Sequence, residues 1–365
     1  MKIFASVDSF KGTISSKEIS TIIENELSAL GHSVEICPIS DGGEGFVEVL
    51  KAHFFVEGIT VASIDALDRK ITCEYVLIGD VAYLEMNSAA GITLLRKKEL
   101  NPLITTTYGV GLIVIDAINK GAKEIVIGIG GSSTNDGGAG MLQALGVNFY
   151  IDDQLVTDHM NGDLIGQITS FNTEALVKTI KGIQFTIFSD VKNPLLGKNG
   201  CSYIYSPQKG ADKETVLVLE RSMSHYAALV ERQFQKSVAN FEGAGAAGGF
   251  GFGAMTFLDA TMSSGINSMI KLLDIEASIA RADVVIVGEG KLDRQTLFGK
   301  GPAGIAQIAK KHHKKVVGVF GIIDHDADYD FLDLMISVVP KYASELESIT
   351  NPKLYFTHMI KDLEL

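Results

Sequence analysis

Short apolar runs alternate with segments of helical periodicity along much of the chain. Residues 3–7 predict a buried strand, and the segment after Ser15 predicts a helix whose apolar positions recur three and four residues apart. Ser15 and Glu18 have the spacing of a capping box, and Gly31 ends this helix. Further strands are predicted at 34–39, 125–129, 185–188, 284–287, 316–320 and 334–338. Strands that alternate with helices indicate parallel sheets covered by helices.

Two regions depart from this alternation. Residues 54–86 show strand-like alternation without a long helix, which predicts hairpins. Residues 147–269 combine polar loops, one strand, a long helix near Lys213–Phe234 and a glycine-rich stretch. We therefore expect two α/β domains, one with a doubly wound parallel sheet and the other a smaller mixed α/β domain inserted into it. The predicted boundaries are 1–55, 100–146 and 276–365 for the doubly wound domain, and 56–99 and 147–275 for the inserted domain.

Glycine content and charge narrow the function classes. The chain of 365 residues contains 38 glycines but only 7 prolines, which favours tight strand-to-helix turns and close approach of the backbone to a ligand. A net charge of −12 argues against nucleic-acid binding, because basic side chains provide much of the affinity for phosphate backbones. No apolar run is long enough to span a membrane, and the first residues do not resemble a signal peptide. Three cysteines without CxxC spacing complete the expectation of a cytoplasmic protein with reduced thiols.

Five polar, glycine-containing segments follow or join predicted strands. They are 8–12, 40–45, 128–138, 189–194 and 288–293. In open α/β sheets a ligand binds outside the carboxyl ends of the strands, so we expect these segments to line one crevice. Each segment contributes at least one acidic residue and three contribute a lysine, a combination that suits phosphoryl transfer with carboxylate-held magnesium.

The segment 128–138 is the strongest candidate for an anion site, because its glycine amides and hydroxyls can bind phosphate oxygens. Two structural alternatives stay open for it: an ordinary glycine-rich turn, and Asp136 as a helix N-cap that binds amides instead of a metal. The stretch 243–248 matches GxGxxG, but residues 235–240 do not predict the strand that a dinucleotide site requires, and Ser268 stands where an acidic residue is expected. No lysine lies in a Walker A loop.

These segments, in this order, resemble the glycerate kinase family of the bacterial type. The shared blocks are 8–12, 41–45, 128–140, 190–195, 207–211, 243–249, 288–290, 293–296 and 299–300. The resemblance extends over nearly the whole chain and implies a two-domain α/β fold with one flavodoxin-like domain and a cleft between the domains. It also implies transfer of the γ-phosphate of ATP to a hydroxyl of D-glycerate, usually giving 2-phosphoglycerate, with Mg²⁺. Lys291 stands where the family usually has arginine, which keeps the charge but loses bidentate phosphate geometry.

Phosphoryl transfer to an alcohol requires a carboxylate that orients the hydroxyl and accepts its proton. Asp190 is the first choice for this base, Asp41 and Asp136 are competitors, and one of the latter two is expected to hold Mg²⁺. Lys11 completes the catalytic candidates. Candidates for binding ATP or glycerate lie in the same blocks and are Ser9, Lys11, Gly42, Gly43, Glu44, Gly130, Gly131, Ser132, Ser133, Thr134, Asn135, Asn193, Lys209, Glu289, Lys291, Asp293, Gln295 and Lys300. For Lys209 and Lys300 an ordinary surface charge is the alternative interpretation.

Two other function classes remain open at this point. The GxGxxG match allows a NAD-type hydroxy-acid dehydrogenase, and a two-domain α/β protein can also be a non-enzymatic binding protein for a small acid. The expected partners of a kinase are ATP and D-glycerate, without nucleic acid or membrane. The residues do not distinguish the 2-hydroxyl from the 3-hydroxyl as acceptor, nor ATP loops from glycerate loops. They also leave the oligomeric state open, with a homodimer as one option.

Overall fold

A computed structural model describes residues 1–10, 12–40, 42–294, 296, 301–324 and 328–365. Its strands are β1 (Lys2–Val7), β2 (Ser33–Ile36), β3 (Ile59–Ile64), β4 (Lys70–Ile78), β5 (Val81–Glu85), β6 (Glu124–Gly128), β7 (Asn148–Ile151), β8 (Gln154–Leu155), β9 (Ser170–Asn172), β10 (Gln184–Phe188), β11 (Thr261–Ser263), β12 (Val284–Leu292), β13 (Lys315–Ile323) and β14 (Leu334–Ser337). Its α-helices are α1 (Ser16–Ala29), α2 (Phe46–Phe54), α3 (Asn87–Ala90), α4 (Tyr108–Asn119), α5 (Ala139–Ala144), α6 (Glu174–Thr179), α7 (Cys201–Tyr205), α8 (Lys213–Phe234), α9 (Ala246–Phe257), α10 (Gly265–Leu272), α11 (Ile275–Arg281), α12 (Gly301–Lys311), α13 (Glu345–Thr350) and α14 (Pro352–Lys361). Short 3₁₀ helices are Ile92–Leu94, Lys97–Glu99, Leu164–Gly166 and Pro207–Lys209.

The chain divides into two compact units. Met1–His53 and Ser264–Leu365 form one, which we call the outer unit, and Phe54–Ser263 forms the other, the inserted unit. The inserted unit is therefore the larger of the two, whereas the sequence predicted a smaller insertion. The prediction that placed residues 100–146 in the doubly wound domain is wrong, because β6 pairs with β5 and β10 in the inserted unit.

The outer unit contains a parallel five-stranded sheet in the order β14-β13-β12-β1-β2. Numbered within the unit, this is the flavodoxin order 2-1-3-4-5 read from the other edge. Ile19 and Ile23 of α1 and Phe356 of α14 pack with the side chains of one sheet face. Helices α11 and α12 also pack against strands of this sheet. The predicted doubly wound, flavodoxin-like architecture is confirmed.

The start of α1 illustrates how the sequence determines these elements locally. Ser15 is the N-cap, its Oγ accepts from the backbone N–H of Glu18, and a Glu18 carboxylate oxygen accepts from the backbone N–H of Ser15 at 3.1 Å. This is the predicted capping box, which satisfies amides that the first helical turn leaves without partners. Leu30 continues the apolar spacing three residues after Leu27, but it is the C-cap and is exposed.

The inserted unit contains a mixed six-stranded sheet in the order β11-β10-β6-β5-β4-β3. The strands from β11 to β5 are parallel, and β4 and β3 add as antiparallel hairpins, which confirms the prediction for residues 54–86. A small antiparallel sheet, β8-β7-β9, completes the unit. Helix α8 has the predicted bounds, and the Asp212 side chain caps its first turn by accepting from Thr215 N at 2.8 Å. In the part of the chain that the structure describes, no helix combines the length and apolarity that crossing a bilayer would need.

Candidate functional site

Three of the five predicted segments lie at the carboxyl edge of the outer unit's sheet. The register places Val7 at the end of β1 opposite Gly288 of β12, and the amide of Asp8 donates to the carbonyl of Gly288 at 3.0 Å. Segments 8–12 and 288–293 are therefore neighbours, as predicted. Segment 40–45 follows β2, the other neighbour of β1. This edge includes the topological switch point between β1 and β12, where ligands bind in such folds.

A cavity of about 620 Å³ lies at this edge. Its polar lining residues include Asp8, Ser9, Glu289, Lys291 and Asp293. Its apolar lining residues include Ile322, Val338, Val339, Ile349 and Pro352. Four predicted binding residues, Ser9, Glu289, Lys291 and Asp293, thus border one cavity. Asp8 and the apolar wall were not among the predicted site residues.

The polar groups of this cavity are held by local contacts. Thr296 Oγ1 donates to Glu289 Oε1 at 2.6 Å, and the amide of Ser9 donates to Asp8 Oδ1 at 2.7 Å. The ammonium of Lys291, which is exposed, lies 3.7 Å from Asp324 Oδ2. The result is a wall with three carboxylates and a cation.

The other two predicted segments meet at the carboxyl edge of the inserted unit's sheet. Gly128 at the end of β6 pairs with Glu85 of β5 on one side and with Phe188 of β10 on the other. Segments 128–138 and 189–194 are therefore adjacent, as predicted. The five segments form two groups, one in each unit.

The loop after β5 supports the site but was not among the predicted segments. Ser133 donates to the carbonyl of Ala90 through its amide at 2.8 Å and through its hydroxyl at 2.9 Å, and Gly91 forms an isolated bridge with Ser132. This loop therefore supports the glycine-rich segment. Its only signal in the sequence is a short polar stretch, Asn87 and Ser88, directly after a strand.

Asp136 is completely buried and both of its carboxylate oxygens accept hydrogen bonds. Oδ2 accepts from Thr107 N at 2.8 Å, from Thr107 Oγ1 at 2.7 Å and from Gly140 N at 3.2 Å, and Oδ1 accepts from Gly138 N at 3.1 Å. Burial raises the pKa of this carboxyl, and the four hydrogen bonds oppose the shift. The carboxylate binds amides near the starts of α4 and α5, as the capping alternative expects of its side chain, but the N-cap residue of α5 is Gly138. Because both carboxylate oxygens have protein donors, we favour a structural role for Asp136 over the predicted magnesium and catalytic roles.

Lys209 is also buried, with 1% of its surface exposed. Its Nζ donates to Ser132 Oγ at 2.7 Å and to the carbonyl of Thr134 at 2.7 Å. Desolvation lowers the pKa of this ammonium to about 8, against the opposing influence of the Cys201 thiol and the Asp136 carboxylate. The surface-charge interpretation of Lys209 is therefore wrong. The buried lysine stabilises the glycine-rich loop through its hydrogen bonds to Ser132 and Thr134.

The remaining residues of this loop differ in accessibility. Ser133, Thr134 and Asn135 are buried, and the Asn135 side chain hydrogen-bonds with Ser202 and Ser206. Gly131 is exposed, Gly130 is half-buried, and Ser132 keeps a small exposed surface. The part of the loop that can meet an anion is therefore 130–132, shorter than the predicted segment 130–135.

Asp190 and Asn193 lie in the loop that follows β10. Asp190 is half-buried beside the glycine-rich segment. Asn193 donates to the carbonyl of Asn199 at 2.8 Å and accepts from the Tyr205 hydroxyl at 2.7 Å. Both ends of the Asn193 amide thus have protein partners, which indicates that Asn193 shapes the loop.

Several predicted residues add little or cannot be placed. Lys11, Asp41, Gln295 and Lys300 lie outside the described residues. Gly42 and Gly43 are buried ahead of α2, and Glu44 is exposed.

The GxGxxG stretch has a packing explanation. Residues 235–242, all described, form no strand. A Cβ on Gly245 would lie 2.2 Å from the carbonyl oxygen of Pro194, and one on Gly248 would lie 2.1 Å from that of Thr134. These glycines allow the start of α9 to approach the two loops, so the stretch is not a dinucleotide fingerprint.

A further cavity, of about 570 Å³, lies in the inserted unit. Its lining includes His159, whose Nδ1 is 2.6 Å from Asp68 Oδ1 and whose ring stacks on Tyr108 at 3.8 Å between centroids. None of the predicted site residues lines it.

Comparisons with known proteins agree with this arrangement. A family model described as the glycerate kinase family matches residues 3–363. A Bacillus subtilis (strain 168) protein named glycerate kinase is 36% identical over 347 residues, which cover 93% of this chain and 91% of that protein. An Escherichia coli (strain K12) protein named glycerate 2-kinase is 37% identical over 337 residues, 89% of this chain and 86% of that protein. A solved structure from Salmonella typhimurium LT2, assigned as a glycerate kinase 2, superposes with a TM-score of 0.83 at 34% identity and covers 99% of this chain and 96% of its own.

Proposed function

The chain belongs to the glycerate kinase family, and from that premise we propose that it transfers the γ-phosphate of ATP to the 2-hydroxyl of D-glycerate, giving 2-phosphoglycerate. As a member it is a kinase whose acceptor is an alcohol group of glycerate, which excludes the dehydrogenase and binding-protein alternatives. The observation that carries the proposal is the extent of the family match, because residues 3–363 include all five glycine- and carboxylate-bearing loops. The name of the Escherichia coli relative supports the choice of the 2-hydroxyl.

In this chain the inserted unit would orient the acceptor hydroxyl and accept its proton. Asp190 is a half-buried carboxylate beside the glycine-rich loop, and we assign it the role of the base that orients the hydroxyl and accepts its proton. The accessible amides of 130–132 can hold an anionic oxygen of a substrate. Ser132 accepts from Lys209, so its own hydroxyl proton is free to be donated to the same anion.

Charge compensation would be provided in the outer unit. Described residues contain no group of three or more potential metal ligands, but Mg²⁺ commonly uses one or two carboxylates together with waters and substrate phosphates. Asp8, Glu289 and Asp293 line the cavity with hard oxygen donors, and this donor set fits the ion. We assign the metal to one or two of them, with Lys291 as an additional cation for phosphate. When bound, Mg²⁺ would neutralise part of the charge on the transferred group.

Incubation with ATP, Mg²⁺ and D-glycerate, followed by phosphorus NMR of the products, tests this function. We expect ADP and 2-phosphoglycerate, and no product when a chelator removes the metal. Absence of any phosphorylated glycerate in the complete mixture would overturn the proposal. Formation of 3-phosphoglycerate would retain the kinase and correct the position of transfer.

We expect this reaction to take place in the cytoplasm, where ATP is produced. Cys37, Cys73 and Cys201 are all free and buried, which agrees with a reducing compartment.

A further inference from the structure

The outer unit's cavity has two chemically different walls. The polar wall carries Asp8, Glu289, Asp293 and Lys291, and the apolar wall is formed by β13, by the residues after β14 and by α13 and α14. Glycerate is a small, fully polar acid and has no surface that could cover aliphatic side chains. A purine nucleotide has a flat, weakly polar base at one end and a charged phosphate tail at the other, so it matches both walls.

We infer that this cavity is the nucleotide site, with the purine base against Val339, Ile349 and Pro352 and the phosphates at the polar wall. The inference rests on the proposed function for its use of ATP and adds the location, which neither the sequence nor the relatives' names provide. A volume of about 620 Å³ lies within the usual range of ligand pockets, which are mostly apolar with a few placed polar groups.

The backbone around the cavity agrees with this orientation. Gly301, the first residue of α12, lines the cavity, so the N-terminal amides of an 11-residue helix begin there. Ser9 and Lys291 lie at the ends of β1 and β12, on either side of the switch point. Amides, a hydroxyl and a cation are thus gathered where a phosphate tail would end. The neighbouring carboxylates would repel that tail without a metal and would hold Mg²⁺ with one.

Two exposed aliphatic residues on α13 allow a matched mutational test of the nucleotide site. Ile349 lines the cavity and is 60% exposed, whereas Leu346, on the same helix and 75% exposed, does not line it. Replacing either by glutamate adds the same charge to the same helix and removes little buried surface. We expect Ile349→Glu to weaken binding of ADP with Mg²⁺ by about tenfold or more, because a carboxylate would face the base, and Leu346→Glu to change it by less than about twofold.

Calorimetric titration of ADP with Mg²⁺ into the full-length protein gives the readout, with KM for ATP and for D-glycerate measured in parallel. We expect the KM for ATP, but not the KM for D-glycerate, to rise in Ile349→Glu. If the wild type phosphorylates glycerate while both variants bind ADP equally well, the inference is wrong and the proposed function survives. If ADP binding depends on Ile349 but glycerate is not phosphorylated, the inference holds and the proposed function fails.

Hydrogen exchange of the wild type provides a second measurement that needs no variant. ADP with Mg²⁺ should slow exchange in α13 and at the start of α14, while D-glycerate alone should not. Protection by ADP that is confined to the inserted unit, or protection of α13 by D-glycerate alone, would overturn the inference.

Discussion

The two groups of glycine- and carboxylate-bearing loops have similar compositions and opposite surroundings. In the outer unit, Asp8, Glu289 and Asp293 border a cavity. In the inserted unit, Asp136 and Lys209 are buried, and their polar atoms form hydrogen bonds with protein groups. The same residue types therefore line a cavity in one group and stabilise loops in the other. The role of each residue is determined by its burial and its hydrogen-bond partners, and not by its type or its position after a strand.

Asp190 is the carboxylate through which the inserted unit would act on substrate, and its replacement should have the largest effect. We expect Asp190→Asn to lower kcat about 10²–10⁴-fold, because an amide cannot accept the proton of the acceptor hydroxyl. Steady-state kinetics measure this loss, and circular dichroism with thermal unfolding checks that the fold is retained. Turnover close to that of the wild type would remove Asp190 from the role of base and leave the inserted group without a catalytic carboxylate.

Asp136→Asn should instead act on stability. Asp136 accepts from Thr107, Gly138 and Gly140, and an amide group would turn N–H towards some of these donors. We expect a loss of about 2–4 kcal/mol in the free energy of unfolding, because buried donors would be left unsatisfied. Denaturant titration measures this loss. An unchanged midpoint, combined with a higher Mg²⁺ concentration needed for activity, would restore the predicted metal role and contradict the comparison.

Features that depend on local sequence patterns could be predicted, whereas features that depend on burial and on distant partners could not. The positions of the main strands and of the loops after them were predictable, because apolar runs and helix caps are local signals and parallel strands place their carboxyl ends together. The sheet to which β6 belongs could not be predicted, because a buried strand can complete either sheet and only its pairing partners determine which one it joins. The burial of Lys209 and Asn135 depends on contacts between segments about 70 residues apart in the chain, which no local pattern encodes. The apolar wall around Ile349 was missed because its residues look like ordinary core and surface positions.

A pair of lysines separates the two groups directly. Lys209 is buried beneath the glycine-rich loop, while Lys291 borders the cavity with an exposed ammonium. We expect Lys209→Met to cost about 2–3 kcal/mol of stability, because Ser132 and the Thr134 carbonyl lose a donor. Lys291→Met should change stability by less than about 1 kcal/mol, because exposed ion pairs contribute little, and should weaken binding of ADP with Mg²⁺. Equal stability losses in both variants, measured by denaturant titration, would contradict the contrast.

The pH dependence of the Lys209 variant sharpens the same contrast. The pKa of Lys209 is lowered from 10.5 to about 8 in the folded chain, so the unfolded chain binds more protons between these values. The contribution of this group is therefore present above pH 10.5 and is lost as the pH falls through about 8. The stability of the wild type relative to Lys209→Met should accordingly rise between these two pH values. A difference that is flat across this window would show that the lysine is not desolvated.

Two glycines with left-handed backbone test whether the close packing of the inserted unit's loops matters. Gly248 has a φ of 68° and a Cβ there would lie 2.1 Å from the carbonyl oxygen of Thr134, whereas Gly197 has a φ of 83° with open space around it. Alanine at Gly197 should cost about 1 kcal/mol for the backbone conformation alone. Alanine at Gly248 should cost about 1–2 kcal/mol more, because α9 or the glycine-rich loop must move. Chemical unfolding of both variants measures the difference. If Gly248→Ala also lowers kcat while Gly197→Ala does not, the position of the loop over Lys209 matters for turnover, and the buried group supports catalysis through the few accessible atoms at 130–132.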